Sequence, residues 1–551
     1  MSVDSSADWP TLTELFESSA SQHLDRPCFA ASEPVSLSWT YREVSRRMLR
    51  LARRLIEAGL RPDQAVALTG ANSPEWAVAY LAILKAGAVV VPLDPQLKPE
   101  ETVLLAKAGD CVGFIADSGR YSALAGAFPQ AAVSWGLDEG QPGTAGGPLR
   151  EDKEEFPLRR PADLAAILFT SGTTGQPKGV MLSHENLTSD CLLAQRLMPL
   201  FETDIFYALL PLHHSYTMLA VFLEALSVGA SVFFARKMAA SQVLRDLREG
   251  GVTMFLGVPL LFNKLMLGIL DGVRKKGPVV NGLVRGLMAF SGFVKLTTRS
   301  NPGRRLFRPL LEQAGLGHVR ICISGGGPLA PSVFKKFNQL GVDFVQGYGL
   351  TETSPILALN PVEAYRVHSV GKILPGVEIR LEGTDETGQG EIVVRGPMVM
   401  QGYYRNPEAT SKVLLPDGWL KTGDIGRLDA KGYLQITGRS KSLIVTEGGK
   451  NVYPEEIEFA FQLHPEVEQV FVKGFILHTE HRTEGIEAWI YPAETHLRQP
   501  EPERREHFQH VVNQVNAGLR PYQRIARFHV LDKPLEMTST RKVRRVGQTI
   551  A

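Results

Sequence analysis

The sequence predicts an α/β protein of several parts: a large N-terminal domain of α/β subdomains, a small β-rich subdomain, and a small α+β domain at the C-terminus. A chain of 551 residues is longer than one hydrophobic core ordinarily serves. Residues 1–160 alternate helix-period and strand-period apolar patterns, as a buried sheet covered by helices requires. Residues 380–440 hold short strand-like runs, EIVVRG and GYLQITG, set between glycine turns, and mixed patterning resumes after Gly438.

The elements follow in order. Tyr41 to Ala58 reads as a helix, with Leu49, Leu51, Ala52 and Leu55 on one face and arginines opposite, and Gly59 stops it. Gln64 to Leu68 reads as a short strand, and a second helix starts at Pro74. The longest apolar stretch, Trp76 to Leu93, is broken by Lys85 and Gly87 and holds Pro92 near its end. That pattern predicts a buried helix followed by a buried strand rather than a membrane span. Glu139 to Pro161 is polar and rich in Gly and Pro, a surface linker, and Leu164 to Phe169 is an apolar strand.

Composition narrows the function. Apolar residues make up 44% and charged residues 21%, as in soluble globular proteins. A net charge of +2 gives no global field to gather nucleic acid. Cys28, Cys111, Cys191 and Cys322 have neither zinc-site nor redox spacing, so four buried or half-buried thiols in a reducing compartment are expected. The start, MSVDSSADWP, lacks a basic patch followed by an apolar run, so a cytoplasmic location is expected.

The strand at Leu164 feeds into TSGTTGQPKG, residues 170–179. Gly172 and Gly175 let backbone N–H groups approach an anion; Thr170, Ser171, Thr173 and Thr174 add hydroxyls; Lys178 adds charge. Such donors suit phosphate, each contributing about 1.5–3 kcal/mol. The spacing is not the G-x-x-x-x-G-K-[ST] of an ordinary P-loop.

This segment resembles the phosphate loop of the adenylate-forming (AMP-binding) superfamily, which includes acyl-CoA synthetases, firefly-type luciferases and peptide-synthetase adenylation domains. Further motifs fall in that family's order as far as Arg545. In PLHHSYTM, His214 falls beside the acyl carboxylate; in ISGGGPL, Gly325, Gly326 and Gly327 would lie against adenine. QGYGLTETSP brings Gln346, Gly347, Tyr348 and Gly349 to the nucleotide, Thr351 to phosphate, and Glu352 to Mg²⁺, a cation that prefers oxygen ligands. In GWLKTGDIG the resemblance implies that Asp424 accepts from both ribose hydroxyls. Arg439 would contact ribose or phosphate, Lys441 would be the hinge, and Gly448, Gly449 and Lys450 would line a thiol tunnel. Lys542, in PLEMTSTRKVRR, would bridge the attacking carboxylate and the ATP α-phosphate. Ser442 and Arg541 depart from the family pattern at the hinge and before the terminal lysine.

The resemblance implies the adenylate-forming fold: an AMP- and acyl-binding domain over 1–438 and a mobile C-terminal lid over 439–551. It implies ATP-dependent conversion of a carboxylic acid to acyl-AMP with release of pyrophosphate, then transfer to a thiol. Catalytic roles fall to Lys542, Glu352, Thr351 and His214. Free coenzyme A is the expected acceptor and an acyl carrier protein the alternative. A long spacer before ISGGGPL resembles long-chain fatty acyl-CoA synthetases, so a medium- or long-chain fatty acid is the expected substrate, with aryl acids as the alternative. Within that spacer, residues 272–311 hold nine Lys or Arg and no Asp or Glu, interleaved with apolar runs. That predicts peripheral contact with the inner face of an anionic membrane.

Overall fold

The structure is a computed structural model that describes residues 9–31, 37–131, 133–137, 155–171, 177–235, 238–446, 450–462, 464–478, 483–537 and 543. The two predicted α/β patterns near the start are present. Thr40 caps a helix over Tyr41–Glu57, and Glu43 returns the bond to the Thr40 N–H. Tyr41, Val44, Met48, Leu51, Ala52 and Leu55 are its buried residues. Ser73 caps the helix Pro74–Lys85, with Pro74 in the first turn where a missing N–H costs nothing. Strand Val89–Leu93 follows and is buried throughout, so the long apolar stretch is a helix and a strand, as expected.

Two sheets organise the N-terminal region. One has seven strands, running from Gly402–Tyr403 through 177–183, 164–171, 89–93, 65–69 and 111–116 to 133–136. The other has thirteen. Its strands 205–208, 254–257, 321–324 and 343–346 pair in parallel, whereas 347–349 turns to antiparallel pairing with 356–359. The β-rich subdomain read from the sequence is present, and its strands, 371–439, continue the α/β sheet through Asp343–Gly349. The linker at 139–161 lies outside the described residues as far as 154, and 155–160 has no regular structure.

Beyond Arg439 lies a smaller body. Strands Val467–His478, Thr483–Pro492 and Arg527–Val530 form a three-stranded sheet, packed with helices Pro454–Phe461 and Glu501–Gly518 around Ile457, Phe461, Val472, Phe508 and Val512. Polar contacts tie it to the larger body. Gln462 accepts from the Ala330 N–H at 2.6 Å and donates to the Pro328 carbonyl at 3.1 Å, and Lys264 pairs with Glu468 at 2.5 Å. All four cysteines are buried and free, as expected.

The spacer folds as helices Pro259–Arg274 and Pro278–Thr298. The second has 21 residues and is long and apolar enough to cross a membrane by composition, yet it lies along the protein. Lys295 is buried and donates to Asn338 at 2.8 Å and Asp343 at 2.7 Å. Arg304 likewise turns inward, to the Val319 and Gly317 carbonyls. The basic surface expected over 272–311 thus loses these two charges, because acceptors on distant segments claim them. The outward face remains apolar, with Val279, Leu283, Phe290, Phe293 and Leu296 all more than half exposed.

Candidate active site

The C-terminal ends of the parallel strands open into one cleft of about 2560 Å³ between the two bodies. Open α/β sheets place ligands at this edge. Thr170, Lys178, His214, Gly325, Gly326, Gly327, Gln346, Gly347, Tyr348, Gly349, Thr351, Glu352, Asp424, Arg439 and Lys441 all line it.

The TSGTTGQPKG motif is flanked by an antiparallel strand pair. Strands Leu164–Ser171 and Pro177–Ser183 pair so that Thr170 lies opposite Lys178. Gly172, Thr173, Thr174 and Gly175 lie outside the described residues, as does the side chain of Ser171. Lys178 stands over the ring of Tyr403, 4.7 Å from its centroid. That tyrosine comes from the short strand Gly402–Tyr403, paired to the same hairpin. Its hydroxyl donates to Glu352 Oε1 at 2.8 Å, and burial, followed by the Glu352 charge, pushes its pKa up. One aromatic side chain thereby holds the loop lysine and the acidic residue in a single group. Sequence reasoning missed Tyr403, and its only local signal is a Gly-Tyr-Tyr run with no motif around it.

Glu352 sits in the short helical turn Thr351–Thr353 at the tip of the hairpin formed by 343–349 and 356–359. The backbone here is tight: a Cβ on Gly349 would lie 1.5 Å from the Pro355 carbonyl oxygen. Only glycine closes this hairpin. Thr351 Oγ1 lies 3.1 Å from Ser215 Oγ, joining the turn to the PLHHSYTM segment. Glu352 Oε2 has no partner among the described residues, so one oxygen of a half-buried carboxylate is open to the cleft. That donor fits a Mg²⁺ ion, which takes carboxylate oxygen together with water and phosphate.

A second cluster in the cleft carries the ribose candidates. Asp424 is 3% exposed; it accepts from Tyr348 Oη at 2.7 Å and pairs with Arg439 Nε at 2.9 Å. Strand pairing places Asp424 directly opposite Arg439. The Asp424 carboxylate holds the Arg439 guanidinium more firmly protonated, and burial, with Asp424 second, pushes the Tyr348 phenol up. Both carboxylate oxygens therefore already have protein partners, whereas the sequence reading left them both to a diol.

At the acyl end, the ring of Tyr216 packs against the glycine turn; a Cβ on Gly325 would come within 2.7 Å of it. Its hydroxyl donates to the Ile323 carbonyl at 3.2 Å. The His213 and His214 rings lie 4.1 Å apart, and His213 Nε2 is 3.6 Å from Asp94. Lys441 lies in the turn Ser440–Ser442, where the smaller body begins, and Lys450 is exposed. Gly448, Gly449 and Lys542 lie outside the described residues. Met537 and Val543, bridged to each other on either side of Lys542, line the same cleft as Glu352.

With this geometry in place, known proteins agree. The family model described as "AMP-binding enzyme" matches residues 16–404. The chain is 30% identical over 495 residues to the long-chain-fatty-acid–CoA ligase heimdall of Drosophila melanogaster, covering 81% of this chain and 72% of that one. It is 31% identical over 445 residues to feruloyl-CoA synthase of Amycolatopsis sp, covering 79% and 80%. The crystal structure of ATP-bound MatB from Rhodopseudomonas palustris superposes with a TM-score of 0.76 at 27% identity, covering 97% of both chains. The chain belongs to the AMP-binding enzyme family and is an AMP-forming acid–thiol ligase on the two-domain adenylate-forming fold.

Proposed function

We propose that the protein condenses a carboxylic acid with ATP to acyl-AMP and pyrophosphate, then passes the acyl group to coenzyme A. The observation that carries this is a pair of clusters lining one cleft: Lys178–Tyr403–Glu352 and Tyr348–Asp424–Arg439. The first supplies positive charge and a metal-binding oxygen for the β- and γ-phosphates. The second grips the ribose, with Tyr348 and Gly325–Gly327 beside the base. A bound Mg²⁺ would be held by Glu352 and would supply charge compensation for the phosphates. Because carboxylate and triphosphate repel, fixed cations and orientation are what the chain must provide. Lys542 brings the last cation to the α-phosphate and carboxylate. Rotation of 439–551 about Lys441 then replaces it with Gly448, Gly449 and Lys450 beside the thiol.

The acid is an aryl or comparable apolar acid, in preference to the long-chain fatty acid that the spacer suggested. The match to feruloyl-CoA synthase extends over more of the relative's length than the match to the fatty-acid ligase. ATP–pyrophosphate exchange with an acid panel, followed by thioester formation with coenzyme A, tests both statements. No exchange with any acid would end the adenylation reading.

We also propose a cytoplasmic protein that touches an anionic bilayer through the helix Pro278–Thr298. Its exposed Val279, Leu283, Phe290, Phe293 and Leu296 form an apolar stripe flanked by Arg274, Lys276, Arg285 and Arg299, a pairing that suits acidic lipid. Sedimentation with phosphatidylglycerol vesicles at low salt is expected, and its loss in Phe290→Ser/Phe293→Ser. Equal binding by the two proteins, or none by either, would overturn the proposal.

A further inference from the structure

The cleft has an inner arm that the nucleotide chemistry leaves unused. Past Gly325 its walls are Met198, Phe206, Ala220, Met254, Leu256 and Ile323, all apolar. Among them stands Glu224, which also lines the cavity and is only 5% exposed. It follows directly on Met218–Leu223, a wide helical turn with i→i+5 bonding. Such widened turns interrupt the regular ladder and concentrate at functional sites. The Glu224 carbonyl accepts from Ser227. Its carboxyl has no hydrogen-bond or ion-pair partner among the described residues.

A buried carboxyl without a partner is costly, so its presence in an otherwise apolar arm calls for an explanation. Structural support is not one, since the group supports nothing described. Burial lifts its pKa to about 8, so it is mostly neutral at pH 7 and can both donate and accept a hydrogen bond. Asp190 and Cys191, whose own pKa values are raised in part by Glu224, add no positive charge behind it. A hydroxyl matches the neutral acid on both counts.

Position gives the reach. Ser215, joined to Thr351 at the cleft mouth, starts the helical stretch that carries Glu224 nine residues later. The stretch is part α-helix and part i→i+5 turn, so it rises on the order of 10 Å. We propose that Glu224 is a specificity-determining residue that exchanges hydrogen bonds with a hydroxyl on the tail of the acid, on the order of 10 Å from its carboxylate. The inference rests on the adenylation reading above and deepens it by naming the substrate class: a hydroxylated acid, either a phenolic acid or a hydroxy fatty acid.

ATP–pyrophosphate exchange distinguishes these outcomes. The acids are 4-hydroxycinnamate against cinnamate and 10-hydroxydecanoate against decanoate, with 10-aminodecanoate, an alkyl ammonium at pH 7, as a further comparison. The wild-type enzyme is expected to prefer the hydroxylated member of one pair by about tenfold or more in kcat/KM, and that pair identifies the source. Glu224→Leu is expected to abolish or reverse the preference while turning over the unsubstituted acid faster; Glu224→Gln, still a hydrogen-bonding group, keeps part of it. No preference in either pair, an unchanged ratio in Glu224→Leu, or a stronger response to the amino acid analogue would overturn the inference. Exchange with acids but without hydroxyl discrimination sinks this inference alone. No exchange with any acid sinks the adenylation reading as well.

Discussion

Tyr403 donates its phenolic hydrogen to Glu352, and the same ring is the seat of Lys178. Tyr403→Phe removes only the hydrogen bond and is expected to lower kcat/KM for ATP about tenfold, the usual scale for a bond to a charged group. Tyr403→Leu also removes the cation–π contact and should cost several-fold more. Pyrophosphate exchange measures both, and wild-type rates in Tyr403→Leu would show that the tyrosine is incidental.

In the proposed mechanism Lys542 acts in the first half-reaction alone. Lys542→Ala is expected to remove adenylation almost completely while leaving transfer from preformed acyl-AMP to coenzyme A within a few-fold of wild type. Single-turnover assays of each half-reaction decide it. Equal loss of both would contradict a lysine used only for the first step.

Gly349 sets the shape of the turn that presents Glu352. Gly349→Ala places a methyl carbon 1.5 Å from the Pro355 oxygen, so the hairpin must open, at a cost of about 3 kcal/mol or more. Gly268→Ala, on an exposed helix surface with nothing within 4 Å, should be neutral or slightly stabilising. Denaturant midpoints of the two variants provide the comparison.

His184 makes stability depend on pH. Its Nδ1 accepts from the Leu12 N–H at 3.2 Å, and burial lowers its pKa to about 4. The unfolded chain, with a histidine near 6.5, takes up the proton first as pH falls. The His184 contribution is therefore complete above pH 6.5 and is lost progressively as pH falls from 6.5 towards 4. His184→Gln keeps an acceptor and cannot titrate, so its loss of stability between pH 6.5 and 5 should be smaller than wild type by about 1–2 kcal/mol. Identical pH slopes would refute the assignment.

The early helices were readable because apolar spacing and capping residues are local: Thr40 and Glu43 announce the first turn of their helix three residues apart. The glycine turns and QGYGLTETSP were readable for the same reason, as contiguous runs. What escaped was pairing across distance. Nothing near Tyr403 says that it will meet Lys178 and Glu352. Lys295 looked like a surface cation until Asn338 and Asp343 came to it from another element. Glu224 is the one charged residue in the apolar stretch Ser215–Ser227, and only the cavity beside it makes its isolation visible.

The strand Asp343–Gly349 has a mechanical consequence. Parallel on one side and antiparallel on the other, it splices two halves of a thirteen-stranded ladder into one plate. Sliding one half past the other would rupture main-chain bonds row by row, so the Glu352 turn and the Asp424 strand keep a fixed spacing. Compliance is left to the seam past Arg439, whose polar contacts include a glutamine and one ion pair.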